Sequence, residues 1–268
     1  MQADYLEVRG LTVSFDGFKA VDGVDLTVLQ SDLRFLIGPN GAGKTTIIDA
    51  LTGLVSATGS AHYGRAELIG RKSDQIARLG VGRTFQTASV FTELTVLQNL
   101  DIASGAKRSP LSLLKVRRGI PPIVQEALET VALTEAVHKP AGVLSHGQKQ
   151  WLEIGMLLVQ NSQVMLLDEP VAGMSADERD ATGELLKRIG ADRTVIIVEH
   201  DMDFMRKWAD SVTVLHQGKV LSEGSVTEVQ ADAKVQEVYL GRSHGTGEAA
   251  EVQAEVLGLL TEEVKSDA

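Results

Sequence analysis

At the start of the chain, apolar side chains fall on alternate positions. Leu6 and Val8 are followed by Leu11 and Val13, and past an Asp16-Gly17 pair Val24, Leu26 and Val28 keep the same spacing. A period of two with polar neighbours predicts strands with one buried face, turned at Asp16-Gly17. The next stretch, Leu33-Arg34-Phe35-Leu36-Ile37, is a short apolar run stopped by Gly38-Pro39-Asn40-Gly41. It is too short for a helix and bounded by breakers, which predicts a strand buried on both faces. Two similar runs come later: Val164 to Leu167 before Asp168, and Val195 to Val198 before Glu199. Helical patterns lie between them. Strands and helices in alternation predict an α/β fold on a parallel sheet, whose ligands sit beyond the carboxyl ends of the strands.

From Leu94 to about Val159 the pattern is helical, without a convincing buried strand, which predicts a helical subdomain inserted into the α/β core. Lys107, Arg108, Lys115, Arg117 and Arg118 fall there, with no acid between Asp101 and Glu126. Val212 to Leu215, Gln217-Gly218 and Val220-Leu221 predict a β-hairpin closing the core. The expected divisions are residues 1–88 and 160–243 for the core with its N-terminal β subdomain, 89–159 for the helical subdomain, and 244–268 for an acidic tail. In that tail Val252, Val256, Leu259, Leu260 and Val264 form an amphipathic stripe. Such a segment either docks on a neighbour or stays unstructured.

Composition narrows the classes. The 268 residues carry 26 basic and 36 acidic side chains, a net charge of −10, which argues against a general nucleic-acid binder. There is no cysteine, hence no disulfide, thiolate metal site or cysteine nucleophile. No run approaches the ~18 apolar residues of a membrane span, and the start lacks a signal-peptide pattern, so the expected product is soluble and intracellular.

The chemistry concentrates at strand ends. Gly38-Pro39-Asn40-Gly41-Ala42-Gly43-Lys44-Thr45 satisfies the G-x-x-x-x-G-K-[ST] pattern directly after a predicted strand. Its glycines let successive N–H groups face phosphate oxygens, and the following helix, with Thr46 in its first turn, adds its positive end. Lys44 supplies a charge to the β- and γ-phosphates, and the Thr45 hydroxyl is placed for Mg²⁺. Asp168-Glu169 ends the second buried run; adjacent acids there divide the labour, Asp168 for the metal and Glu169 as general base. His200 ends the third run and is placed to donate to a γ-phosphate or an attacking water. Gln86, in Gly82-Arg83-Thr84-Phe85-Gln86, is a neutral amide suited to Mg²⁺ or water. Leu144-Ser145-His146-Gly147-Gln148 reads as an N-cap at Ser145 ahead of a helix over Gln150 to Val159, so hydroxyl, backbone N–H groups and helix end converge on one anion-sized spot.

In their order along the chain (phosphate loop, Gln86, the Ser145 segment, Asp168-Glu169, His200), these segments resemble the ATP-binding subunits of ATP-binding-cassette transporters, over about residues 5 to 243. The resemblance implies the P-loop NTPase fold of that family, with an antiparallel β subdomain and an inserted helical subdomain. It implies ATP and Mg²⁺ as ligands and an ATPase coupled to transport. Two subunits would face head to tail, with Ser145, Gly147 and Gln148 of one closing over the ATP on the phosphate loop of the other. Gln86 would be the metal- and water-sensing glutamine. Phe15, with Phe18 as its rival, would stack on adenine. The remaining implied partners are a transmembrane permease and, through it, a substrate-binding protein, with the cassette on the cytoplasmic face of the membrane.

Within the family, Gly82 to Thr87, Val96-Leu97-Gln98-Asn99-Leu100 and Glu169 to Met174 resemble the importers of branched-chain amino acids and urea. The segment Ser145 to Met156 is similar to the urea group in particular, which makes urea the expected solute and branched-chain amino acids the alternative. Two positions depart from the common pattern: His146 replaces the usual second glycine of the signature, and Ser175 stands where many members have Asp.

Overall fold

The structure is a computed structural model that describes residues 5–85, 89–105 and 119–240. The alternating start folds as β1 (Leu6–Phe15) and β2 (Phe18–Val28), an antiparallel pair joined at Asp16 and Gly17, both at positive φ. β3 (Leu33–Ile37) leads into α1 (Lys44–Leu51), followed by β4 (Thr58–Tyr63), β5 (Ala66–Glu67), α2 (Ser73–Leu79) and β6 (Val81–Arg83). The middle is helical, with α3 (Val96–Gly105), α4 (Pro122–Thr130), two short 3-10 turns and α5 (His146–Val159). Then come β7 (Val164–Asp168), α6 (Ala176–Gly190), β8 (Thr194–Val198), α7 (Met202–Trp208), β9 (Ser211–His216), β10 (Lys219–Gly224), α8 (Val226–Ala231) and α9 (Ala233–Leu240).

Two sheets result. The smaller is antiparallel, in the order β2-β1-β4-β5; the larger runs β10-β9-β3-β8-β7-β6 and is parallel except for the β9–β10 hairpin. That hairpin turns at Gln217 and Gly218, both at positive φ, the twist that two-residue turns favour.

Every residue of β3, β7 and β8 is buried, because the large sheet is covered on both faces. Leu36, Leu166 and Ile196 face the antiparallel sheet and α1, in one core with Val8, Val24 and Ile48. Phe35, Leu167 and Ile197 face the other way, in a second core shared with Leu100, Leu128 and Leu152 of α3, α4 and α5. Two-sided burial erases the polar alternation, so these strands read as continuous apolar runs.

Arg34 is the exception inside β3. Its guanidinium pairs with Asp32 and Glu223 and donates to the Ser211 and Thr213 hydroxyls, so the buried charge is fully met. The Val96–Leu100 motif also has a structural reason. Asn99 is fully buried, takes the Phe91 N–H at 2.8 Å and donates to the Phe91 carbonyl at 3.1 Å, pinning the turn that enters α3.

Candidate functional site

The phosphate loop leaves the carboxyl end of β3 wedged between other backbone segments. A Cβ on Gly38 would lie 2.2 Å from the Leu215 carbonyl oxygen, and one on Gly43 would lie 2.6 Å from that of Ala20. Both glycines also hold positive φ, so no other residue fits without moving β9 or β2. Gly43 is the N-cap of α1 and offers no side-chain cap, and no acid occupies the first turn. The leading N–H groups of α1 are left for an anion. Lys44 folds back over the loop, its Nζ donating to the Gly38 carbonyl at 2.7 Å and the Pro39 carbonyl at 3.3 Å. Burial pushes its pKa down, while the nearby Glu169 and Asp168 carboxylates push it up. A desolvated ammonium held this way is primed to exchange carbonyls for phosphate oxygens.

Asp168, buried at the end of β7, faces the loop. Its Oδ1 lies 3.4 Å from the Thr45 hydroxyl and its Oδ2 3.6 Å from Arg83, which also pairs with Asp49. Burial raises the Asp168 pKa, with Glu169 adding to the rise and Arg83 opposing it. Glu169 sits at φ 49°, an uncommon conformation for a side-chain-bearing residue and a mark of strain where function requires it. Its Oε1 is 3.7 Å from His200 Nδ1.

Behind this pair lies Glu199, only 1% exposed, which accepts the Val171 N–H at 3.2 Å and the His200 N–H at 3.1 Å. Burial raises its pKa. One carboxyl thus anchors both the loop after Glu169 and the turn that presents His200.

The donor set suits Mg²⁺. Among the described residues no cluster of three or more His, Cys, Asp or Glu could hold a metal by itself. One hydroxyl and one carboxylate side by side leave the remaining octahedral positions to water and phosphate, which is how Mg²⁺ is usually held.

The signature segment lies against a different neighbour. α5 begins at His146, four residues before the expected Gln150, because Ser145 and Gln148 form a complete capping box. The Ser145 Oγ accepts the Gln148 N–H at 3.2 Å, and the Gln148 side chain takes the Ser145 N–H at 3.0 Å. His146 and Gly147 therefore belong to the first turn, where backbone N–H groups point outward. The Ser145 hydroxyl donates to Glu178 at 3.3 Å.

Gln86 lies outside the described residues, as do the basic residues from Lys107 to Arg118 and the tail from 244. The residues flanking Gln86 are held by Glu153 of α5, whose Oε1 accepts the Phe85 N–H at 3.3 Å and the Ser89 N–H at 3.4 Å. Burial raises the Glu153 pKa from 4.5 to about 7. In between, the folded chain binds this proton better than the unfolded one, so its contribution is greatest below pH 4.5 and falls as pH climbs through 7. Glu153→Gln should shift the stability difference in favour of the variant by about 3 kcal/mol between pH 4.5 and 8. Urea unfolding at both pH values measures it, and parallel pH profiles would refute the buried ionisation.

Phe15 and Phe18 face each other across the β1–β2 turn, 48% and 69% exposed, and Phe18 lies two residues before the Ala20 carbonyl that packs on Gly43.

Residues 21–172 match the ABC transporter family, and residues 219–245 match the branched-chain amino acid ATP-binding cassette transporters. The chain is an ATP-binding cassette of the ABC transporter family. The cassette is 35% identical over 256 residues to the high-affinity branched-chain amino acid transport ATP-binding protein BraF of Pseudomonas aeruginosa, covering 91% of this chain and 100% of that one. It is 34% identical over 255 residues to LivG of Escherichia coli K12, named for the same transport, with the same coverage. Among solved structures it resembles an ABC transporter cassette in its ADP conformation, with a TM-score of 0.78 and 31% identity, covering 89% of this chain and 99% of that one. As a member of this family it is an ATPase that drives transport.

The cassette thus gathers Lys44, Thr45, Asp168, Glu169 and His200 at one rim of its large sheet. Ser145, Gly147 and Gln148 sit instead beside α6. The sequence reading missed the supporting residues Arg83, Glu199, Glu153 and Glu178. Arg83, Glu199 and Glu153 shared one signal, a charged group inside or directly after a buried run; Glu178, in the first turn of α6, carried only the S-x-x-E capping pattern.

Proposed function

We propose that this cassette is the ATP-hydrolysing subunit of an importer for branched-chain amino acids. The match of residues 219–245 to that transporter class carries the choice of solute, and the full-length relatives BraF and LivG support it. The expected urea specificity rests on the Ser145–Met156 segment alone, and the relatives give it no support. Uptake of labelled leucine and labelled urea, by cells with and without the gene, separates the two. Loss of leucine uptake is the expected result; loss of urea uptake alone would reverse the assignment.

The triphosphate of ATP lies on the N–H groups of Gly38 to Thr46, with Lys44 on its β- and γ-phosphates and Phe15 or Phe18 on adenine. Thr45, Asp168 and Gln86 would hold Mg²⁺, which would supply charge neutralisation to the phosphates. Glu169 accepts a proton from the attacking water, and His200, held beside it, donates to the γ-phosphate. The Ser145, Gly147 and Gln148 of a second cassette close the site from the opposite side. Closure with ATP and reopening after hydrolysis then supply the work done on a permease.

Among the described residues no helix is long and apolar enough to cross a membrane, so transport calls for a membrane-spanning partner. A cleft of ≈ 240 Å³ between α2, β6 and α5, lined by Leu54, Arg83, Phe85 and Glu153, is where the permease docks on the cytoplasmic side. Its mouth presents the exposed Leu54 and Phe85 side chains. A substrate-binding protein on the far side of the membrane completes the importer.

A further inference from the structure

Glu178 stands in the first turn of α6 and touches the N-termini of two helices at once. One carboxylate oxygen, Oε2, accepts the Ser175 N–H and the Ser175 hydroxyl, each at 3.1 Å, closing the capping box of α6. The other, Oε1, accepts the Ser145 hydroxyl at 3.3 Å, across 33 residues of chain. The same Oε1 lies 3.0 Å from where a Cβ on Gly147 would stand. The Glu178 carboxylate is therefore the resident anion at the start of α5, shared by two capping serines. Hydrogen bonds from Ser175 hold its pKa below the usual carboxylate range, with Ser145 and His146 lowering it further. It is ionised at neutral pH.

A capping box alone does not require this arrangement. The Ser225–Glu228 box of α8 has the same serine contacts, with the Ser225 N–H and hydroxyl both at 2.8 Å from Glu228 Oε2. There, among the described residues, no hydroxyl from a second helix is added. At α6 the second oxygen is turned onto Ser145, one of the residues that the two-cassette reading closes over the partner's ATP.

We infer that Glu178 is an in-chain competitor of the γ-phosphate for Ser145 and the N-terminus of α5, and that it sets the ATP concentration at which two cassettes close. This deepens the two-cassette reading and rests on it. A carboxylate and a phosphate cannot share one hydroxyl donor, and two like charges at one helix end repel. Closure must first turn Glu178 Oε1 away from Ser145, at a cost that ATP overcomes. Gly147 lies against the same oxygen, since a Cβ there would crowd Oε1 and make it give by a few tenths of an ångström. Gln at 178 keeps the capping geometry, because glutamine serves the box as well as glutamate does, but it removes the charge.

The test uses the full-length chain carrying Glu169→Gln, so that ATP is not consumed, and follows dimer formation by analytical ultracentrifugation across an ATP titration. Adding Glu178→Gln should lower the ATP midpoint of dimerisation by on the order of tenfold. Asp177→Asn removes an equal charge one residue away without touching Ser145 and should leave the midpoint where it was. Glu178→Ala removes charge and reach together and must lower the midpoint as well, which keeps the test open if the glutamine variant folds poorly. An unchanged or higher midpoint in both Glu178 variants overturns the competition, and so does an equal shift with Asp177→Asn. If the Glu169→Gln parent binds ATP and never dimerises, the two-cassette reading itself fails, and the inference with it.

Discussion

Replacing Glu169 with Gln lowers ATP turnover by about 10²- to 10⁴-fold, the usual contribution of a positioned general base, and leaves ATP binding in place. Three features of the site make this the largest expected effect on catalysis. Glu169 is held at φ 49° at the end of a fully buried strand, so its carboxylate has a fixed address. His200 Nδ1 stands 3.7 Å from it, and Glu199 fastens both residues' loops from below. Glutamine preserves size and most contacts but cannot take a proton from water. The variant should therefore bind nucleotide as the parent does and accumulate as an ATP-bound dimer. Single-turnover measurement with labelled ATP reads the chemical step directly. A chemical step within about twofold of the parent would remove Glu169 from the base role.

Lys44→Ala is expected to weaken ATP binding on the order of a hundredfold, since charged hydrogen bonds contribute about 1.5–3 kcal/mol each and the ammonium serves more than one oxygen. In the structure that ammonium is partly desolvated and satisfied by the Gly38 and Pro39 carbonyls. Removing it costs two weak local bonds and relieves a buried charge, so the thermal midpoint without ATP should stay nearly level. The stabilisation that ATP adds to the parent should vanish. Calorimetric titration and thermal unfolding with and without ATP measure both halves. ATP affinity unchanged in this variant would mean that the glycine loop is not the phosphate site.

Much of the architecture was legible because two-sided burial leaves a plain mark. The runs at Leu33, Val164 and Val195 are strands to within one residue of their expected ends, since parallel strands covered on both faces read as short apolar runs that stop at polar residues. β4, β5 and β6 were not legible. β5 and β6 are edge strands of two and three residues, and β4 buries only Ala61 of its six, so no period emerges. The start of α5 was placed four residues late because His146-Gly147 reads as a loop until the Ser145–Gln148 box is seen to close around it. The family was legible from motif order; the solute was not, because nothing in the chemistry of the motifs selects one.

The order of residues alone put the glycine loop, Asp168-Glu169 and His200 after strand ends and Ser145 at a helix start, because each position depends on local breakers and caps. The fold alone decided what surrounds them. Arg83 sits between Asp49 and Asp168, Glu199 underlies the Glu169–His200 pair, Glu153 grips both flanks of Gln86, and Glu178 rests on Ser145. Nearly all of these contacts join residues far apart in the chain, and a carboxylate declares its partner only once burial has removed water as the alternative.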